Sequence, residues 1–163
     1  MRNAFVVIWL LFATAKAFPL QIVKSDQLPP DTLIVMQRGA CEKRCVVYSV
    51  TIFSDGSVIY DGRYFVRRHG LIRSDITRET LGRLLEEVKA AGFFGLRDDY
   101  GYKTSSVCDS MRTQEGSVIL TIANSGMSKT VLHYLGCASK ESEVLRVLED
   151  KVDRAVGSGK WIK

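Results

Sequence analysis

Residues 41–62, CEKRCVVYSVTIFSDGSVIYDG, constrain the fold of this chain more than any other stretch. Two cysteines, Cys41 and Cys45, open a run of alternating side chains. The Asp55-Gly56 pair offers the positive φ that tight hairpin turns demand, and a second run returns from it. From Cys45 to Phe53, β-branched and aromatic residues alternate with period 2, which a helix does not tolerate. The reading is a cysteine-anchored β-hairpin. Val47, Ser49, Thr51 and Phe53 point one way, and Val46, Tyr48, Val50 and Ile52 the other. Both sets carry apolar residues, so this strand is expected to be central and covered on much of both faces.

The flanking sequence extends the hairpin into a sheet. Residues 32–37 read as a strand before it. After 58–60 returns, Asp61-Gly62 reads as a second turn and 63–69 as the third strand of a meander. Residues 77–91 are the clearest helix. Thr77 suits the N-cap, Leu81, Leu84, Leu85 and Val88 form one apolar stripe, and Gly92 stops the helix. Residues 97–106 read as loop. A second hairpin follows, 117–123 and 129–135 around Asn124-Ser125-Gly126-Met127. Ser139 then caps a second helix reaching Val156, with Val144, Leu145, Leu148 and Val152 inward, Gly157-Ser158-Gly159 as its end and Trp161 packing back. Runs of strands separated by helices predict an α+β fold. The expected form is an antiparallel meander sheet with two helices, in the order strands, helix, hairpin, helix.

The first residues carry the pattern of an export signal: Arg2, an uncharged apolar run over 4–14, and Ala15-Lys16-Ala17 as a small-x-small cleavage site. That run falls short of the about 20 residues a membrane span needs. The expected organisation is a signal peptide at 1–17, an extended N-terminal segment with Phe18-Pro19 and Pro29-Pro30 at 18–31, and one α+β domain at 32–163. The predicted protein is therefore exported, periplasmic or secreted, with no membrane span in the mature chain. Four cysteines in an exported chain suggest disulfides. Three pairings exist, and Cys41–Cys45 with Cys108–Cys137 is favoured over the others and over a four-thiolate zinc site. Cys-x3-Cys is not the Cys-x2-Cys of redox motifs, and a thiol redox protein would need an exposed, reducible Cys41–Cys45 pair.

Charge and motifs narrow the functional classes. The formal net charge of +5 includes Arg2 and Lys16 of the signal. What remains is too small to demand a nucleic-acid partner. No phosphate-binding glycine loop, serine elbow or HExxH motif occurs, and neither a cofactor nor a metal is expected. His69 and His133 stand alone on expected strands, so each reads as a surface or satisfied histidine. Asp98, Asp99 and Asp109 read first as turn-forming acids and second as a carboxylate group able to bind calcium or run hydrolysis. Basic residues gather at Lys43 and Arg44 and again at Arg63, Arg67, Arg68 and Arg73. They form either a solvated, charge-protected strand face or a patch for anionic material.

One resemblance adds to this reading. Cys41, Cys45, Tyr48, Asp55-Gly56, Tyr60, Gly62, Gly92-Phe93-Phe94, Leu96, Asp98 or Asp99, Tyr100, Asp109 and Trp161 occur in an order that resembles a family of small exported bacterial domains of unknown function. Lys43 and Val46 stand where that family often has Gly and Pro. The resemblance implies export and this fold, and it brings no activity. The leading expectation is a non-catalytic binding module of the cell envelope, with candidate binding residues Lys43, Arg44, Arg67, Arg68, Asp99 and Asp109. Its partner would be an envelope protein or an anionic envelope glycan. The alternative is an envelope hydrolase using Asp99 and Asp109 with His133.

Overall fold

The computed structural model describes residues 32–101 and 106–163. The expected signal peptide and the 18–31 segment lie outside them. Nine strands, β1 (Thr32–Arg38), β2 (Val47–Phe53), β3 (Ser57–Tyr64), β4 (Gly70–Asp75), β5 (Asp99–Tyr100), β6 (Ser110–Met111), β7 (Ser117–Asn124), β8 (Met127–Tyr134) and β9 (Cys137–Ala138), combine with three helices, α1 (Arg78–Ala90), α2 (Lys140–Val156) and α3 (Gly159–Ile162). Seven strands form one sheet in the order β4-β3-β2-β1-β7-β8-β5, and β6 pairs with β9 separately. Every described pairing is antiparallel except β5 with β8. The class is thus α+β with a mostly antiparallel sheet. Strands β1 to β4 form a meander, but the β7–β8 hairpin joins at β1, so the first strand lies inside the sheet. The short strands β5, β6 and β9 and the third helix are additions to the expected element order.

The helices form where their caps direct. The Thr77 hydroxyl accepts the Thr80 N–H at 3.1 Å, and the Ser139 hydroxyl accepts that of Ser142 at 3.1 Å. Each satisfies one orphan donor of a first turn. Gly157 ends α2 in the left-handed region at φ 65°. Leu81, Leu84 and Val88 of α1, with Leu145, Leu148 and Val152 of α2, bury against Ile34, Met36, Val50, Ile52, Leu120 and Ile122 of the sheet. Each such side chain contributes roughly 1.5–3 kcal/mol, against the entropy of ordering the chain. Tyr60 stacks between Tyr48 and Trp161, with ring centroids at 5.5 and 4.8 Å.

One sequence expectation is refined and one changes. The first is the cover on β2. Tyr48, Val50 and Ile52 are buried, while Val47, Ser49, Thr51 and Phe53 are only half-buried. Among the described elements, the helices pack on one face. On the neighbouring strands the same face is buried at Val35, Ile119 and Thr121, so cover on the second face is full at the centre of the sheet and partial along β2.

The second is the end of the meander. Asp61-Gly62 is not a turn: β3 runs through it to Tyr64, and the next strand is Gly70–Asp75 rather than 63–69. A Cβ at Gly62 would stand 2.1 Å from the Arg68 carbonyl oxygen and 2.9 Å from the Tyr60 ring. Glycine is required there for close approach of two backbones, a second meaning of strand glycine.

Candidate interaction surface

Two groups of side chains among the described residues are candidates for a site, one sealed and one open. The sealed one lies between the sheet and α2. His133 on β8 sets Nδ1 2.6 Å from Glu149 Oε1 and Nε2 2.7 Å from Ser142 Oγ. The Ser142 hydroxyl in turn donates to the Cys137 carbonyl oxygen at 2.7 Å. The trio has the connectivity of a serine–histidine–acid triad, but not its access or its polarity. Side-chain exposure of His133 and Glu149 is 1 %, and Ser142 is 1 % exposed overall. Because the serine proton goes to a carbonyl that can only accept, the bond from Nε2 to Oγ has the histidine as donor. A serine nucleophile needs the reverse.

The sealed chain continues toward solvent. Arg38 Nη1 lies 3.7 Å from Glu149 Oε2, which has no hydrogen-bond partner among the described residues. Arg38 also donates to the Tyr48 hydroxyl at 2.9 Å and to Asp153 at 2.8 Å. Tyr48 donates to Asp153 at 2.7 Å, and Ser158 to Asp153 at 2.6 Å. Burial pushes the Tyr48 phenol above its ordinary range, and Asp153 adds to this while Arg38 opposes it. Burial pulls the Arg38 guanidinium down, but Tyr48, Asp153 and Glu149 outweigh it and hold the proton more firmly than usual. The arrangement clamps β1 and β2 to α2.

The open place is the end of the meander. Val47 pairs with Tyr64 but Tyr48 with Gly62, so Arg63 is an extra residue in β3. Such a bulge bends the strand and re-aims the residues beyond it. The next but one, Phe65, has φ 54°, a region that a bulky side chain enters only under strain. Tyr64 and Phe65 are 54 % and 51 % exposed. The Arg44 guanidinium carbon stands 5.4 Å from the Phe65 ring centre, within cation–π range. This contact brings the Cys41–Cys45 loop, with exposed Lys43 and Arg44, against the β3–β4 connection carrying exposed Arg67, Arg68 and His69. That connection is held from behind: the Arg67 and Arg68 N–H groups donate to the Ile162 and Trp161 carbonyl oxygens at 3.3 and 2.9 Å. Arg63 spends part of its charge on Asp61, at 2.5 Å.

The expected binding residues therefore divide. Lys43, Arg44, Arg67 and Arg68 share the meander end. Asp99 lies on β5, at the other end of the sheet, where its Oδ1 accepts the Gly101 N–H at 2.5 Å. Asp109 is exposed, and its N–H donates to the Ala138 carbonyl. His133 pairs in register with Tyr100 and Asp99 with Leu132, so Asp99 and His133 point to opposite faces of the sheet. Among the described residues, no cluster of three or more His, Cys, Asp or Glu could hold a metal ion.

Tyr64 and Phe65 escape the sequence as exposed apolar residues because a regular strand over 63–69 hides them, and Leu71 because the strand holding it begins only at Gly70. Sequence reading also missed Ser142 and Glu149. Their signal was present: Ser142, Leu145, Glu149 and Val152 succeed one another at steps of three and four, so two polar residues occupy the apolar phase of α2.

Both disulfides form, Cys41–Cys45 and Cys108–Cys137. No helix among the described residues is long and apolar enough to cross a membrane. Fold and surface together define a small disulfide-linked α+β domain with a sealed polar interior and a basic, aromatic tip. The chain belongs to the family DUF6438, a domain of unknown function, whose match covers residues 32–156. Among curated proteins, none matches the chain.

Proposed function

We propose that the chain is an exported, non-catalytic binding module that holds an acidic partner at the basic, aromatic tip of its meander. The observation carrying this reading is Phe65: a half-exposed aromatic ring at positive φ, faced by Arg44 and followed by Arg67 and Arg68. Backbone strain persists where surrounding structure enforces it, and it concentrates at ligand clamps. Guanidinium groups beside exposed rings suit partners that combine negative charge with apolar surface. Export, through cleavage after Ala17, is supported by the signal pattern and by two disulfides in so short a chain. The extended segment 18–31 would then lead into the single domain at 32–163. The separation of Asp99, Asp109 and His133 weighs against the hydrolase alternative.

The test uses the full oxidised chain over sensor surfaces of poly-glutamate and polygalacturonate in 0.15 M salt. Binding to at least one surface is expected, together with a loss of roughly tenfold in Arg67→Glu/Arg68→Glu. Lys129→Glu, at the far edge, should leave it unchanged. Equal binding by the double variant, or no binding to either surface, would overturn the proposal.

A further inference from the structure

Resting on that reading, we infer that the partner is a protein that adds an extended, acidic segment as a new strand along β4. Among the described strands β4 is terminal in the sheet order. Half of its amides and carbonyls therefore point away from β3, which makes it a template for another strand. All six of its residues are exposed or half-buried. Its register with β3 runs from Ser57↔Asp75 to Gly62↔Gly70 without a shift, and it contains no proline. Two devices that commonly blunt an edge, a bulge and a proline, are thus missing. Among the described residues, the opposite edge is the two-residue β5, clasped by Asp98 and Lys129.

The side chains specify the occupant. Leu71 is 72 % exposed. Leu71 and Arg73 alternate on the open face, in register with Asp61 and Ile59 of β3. A strand beside β4 would set an apolar residue next to Leu71 and an acidic one, two positions along, next to Arg73. Past Gly70 the chain enters the arginine-bearing connection, and at the other end it reaches Asp75. A second acidic residue, beyond the apolar one on the Gly70 side, would therefore meet that connection. A second copy of this chain fits less well. Antiparallel pairing of two β4 strands centred on Ile72 or Arg73 sets the two Arg73 side chains diagonally or directly across from each other, and like charges so placed oppose pairing.

The experiment follows backbone amide signals and hydrogen exchange in the full oxidised chain. The probes are a capped heptapeptide with glutamate, valine and glutamate at its second, fourth and sixth positions and threonine elsewhere, the same peptide N-methylated at two consecutive central residues, and polygalacturonate. Consecutive N–H groups point to opposite sides, so the methylated peptide loses a donor on either edge while keeping its charge. The expected result is protection confined to residues 70–75. N-methylation should weaken binding roughly tenfold or more, and Arg73→Glu should weaken it further. Equal affinity for the methylated peptide, or protection elsewhere, would overturn strand addition. So would protection of β4 by self-association without peptide. Binding of polygalacturonate alone, lost in Arg67→Glu/Arg68→Glu, would overturn strand addition while leaving the binding surface standing. No binding by any probe would remove both.

Discussion

The His133 imidazole donates a hydrogen bond to Ser142 and does not accept one from it, because the Ser142 hydroxyl is already committed to the carbonyl oxygen of Cys137. A chain of donors with a fixed direction joins β8, α2 and β9 where water does not reach. Removing a middle member strands its neighbours. Ser142→Ala should cost about 1–3 kcal/mol. Glu149→Leu, which leaves both His133 and Arg38 facing an apolar group, should cost about 3–5 kcal/mol. Urea unfolding of the oxidised variants measures both, with the slope unchanged. A neutral Ser142→Ala would show that the chain contributes nothing to stability.

The Tyr48 phenol makes the domain sensitive to base. Burial and Asp153 raise its folded-state pKa above the unfolded value of about 10. The folded state therefore holds the phenolic proton more tightly than the unfolded one. That contribution is complete below about pH 10 and disappears as pH climbs toward the folded value. Tyr60, raised chiefly by burial, works in the same direction. Unfolding midpoints should fall steeply above about pH 10. Tyr48→Phe should lower stability at neutral pH and shallow that fall without abolishing it. An unchanged slope in the variant would assign alkaline lability elsewhere.

Glycine substitutions should split in sign. Gly62→Ala drives a methyl group into the Arg68 carbonyl and should cost at least about 1–3 kcal/mol. Gly82 lies on the exposed side of α1 with nothing within 4 Å of an added Cβ. Gly82→Ala should gain about 0.5–1 kcal/mol. Thermal melts of the two variants should move in opposite directions.

Phe65 should trade stability against recognition. Replacing it by glycine releases the positive φ, worth about 1–2 kcal/mol. The change gives up a half-exposed ring and a contact of about 0.5–1 kcal/mol with Arg44. Phe65→Gly should melt no lower than the parent yet bind acidic probes more weakly. A variant that melts well below the parent would make Phe65 a packing residue instead.

The two disulfides should differ in worth. Cys108–Cys137 spans a sequence separation of 29 and Cys41–Cys45 one of 4. Loop-closure entropy then predicts about 3–4 kcal/mol for the first and about 2 kcal/mol for the second. Paired replacement of Cys108 and Cys137 by alanine, and of Cys41 and Cys45 by serine, compared in urea, reads this difference.

The caps Thr77, Ser139 and Gly157, the apolar stripes of both long helices, the two hairpins and the cysteine pairs were legible because each rests on local chemistry. What escaped depended on contacts distant in sequence. Gly62 reads as a turn until Arg68 is known to pass over it. The two-residue strands β5, β6 and β9 are too short for periodicity to register. Glu149 looks like one more solvent-facing acid of a charged helix until Arg38 and His133 arrive from the sheet. Of the candidate surface, Lys43, Arg44, Arg67 and Arg68 were legible as basic residues. Their meeting around Phe65 was not, since it needs the bulge at Arg63.

Cys137 holds two offices at once. Its sulfur closes the longer cross-link, and its carbonyl oxygen is the last acceptor of the buried chain through Ser142 and His133. Oxidation and interior assembly are thus joined at one residue. Without that cross-link, no covalent bond would tether the strand that carries the final acceptor. The covalent bond thus fixes the position of an acceptor inside the domain as well as closing a loop at its surface.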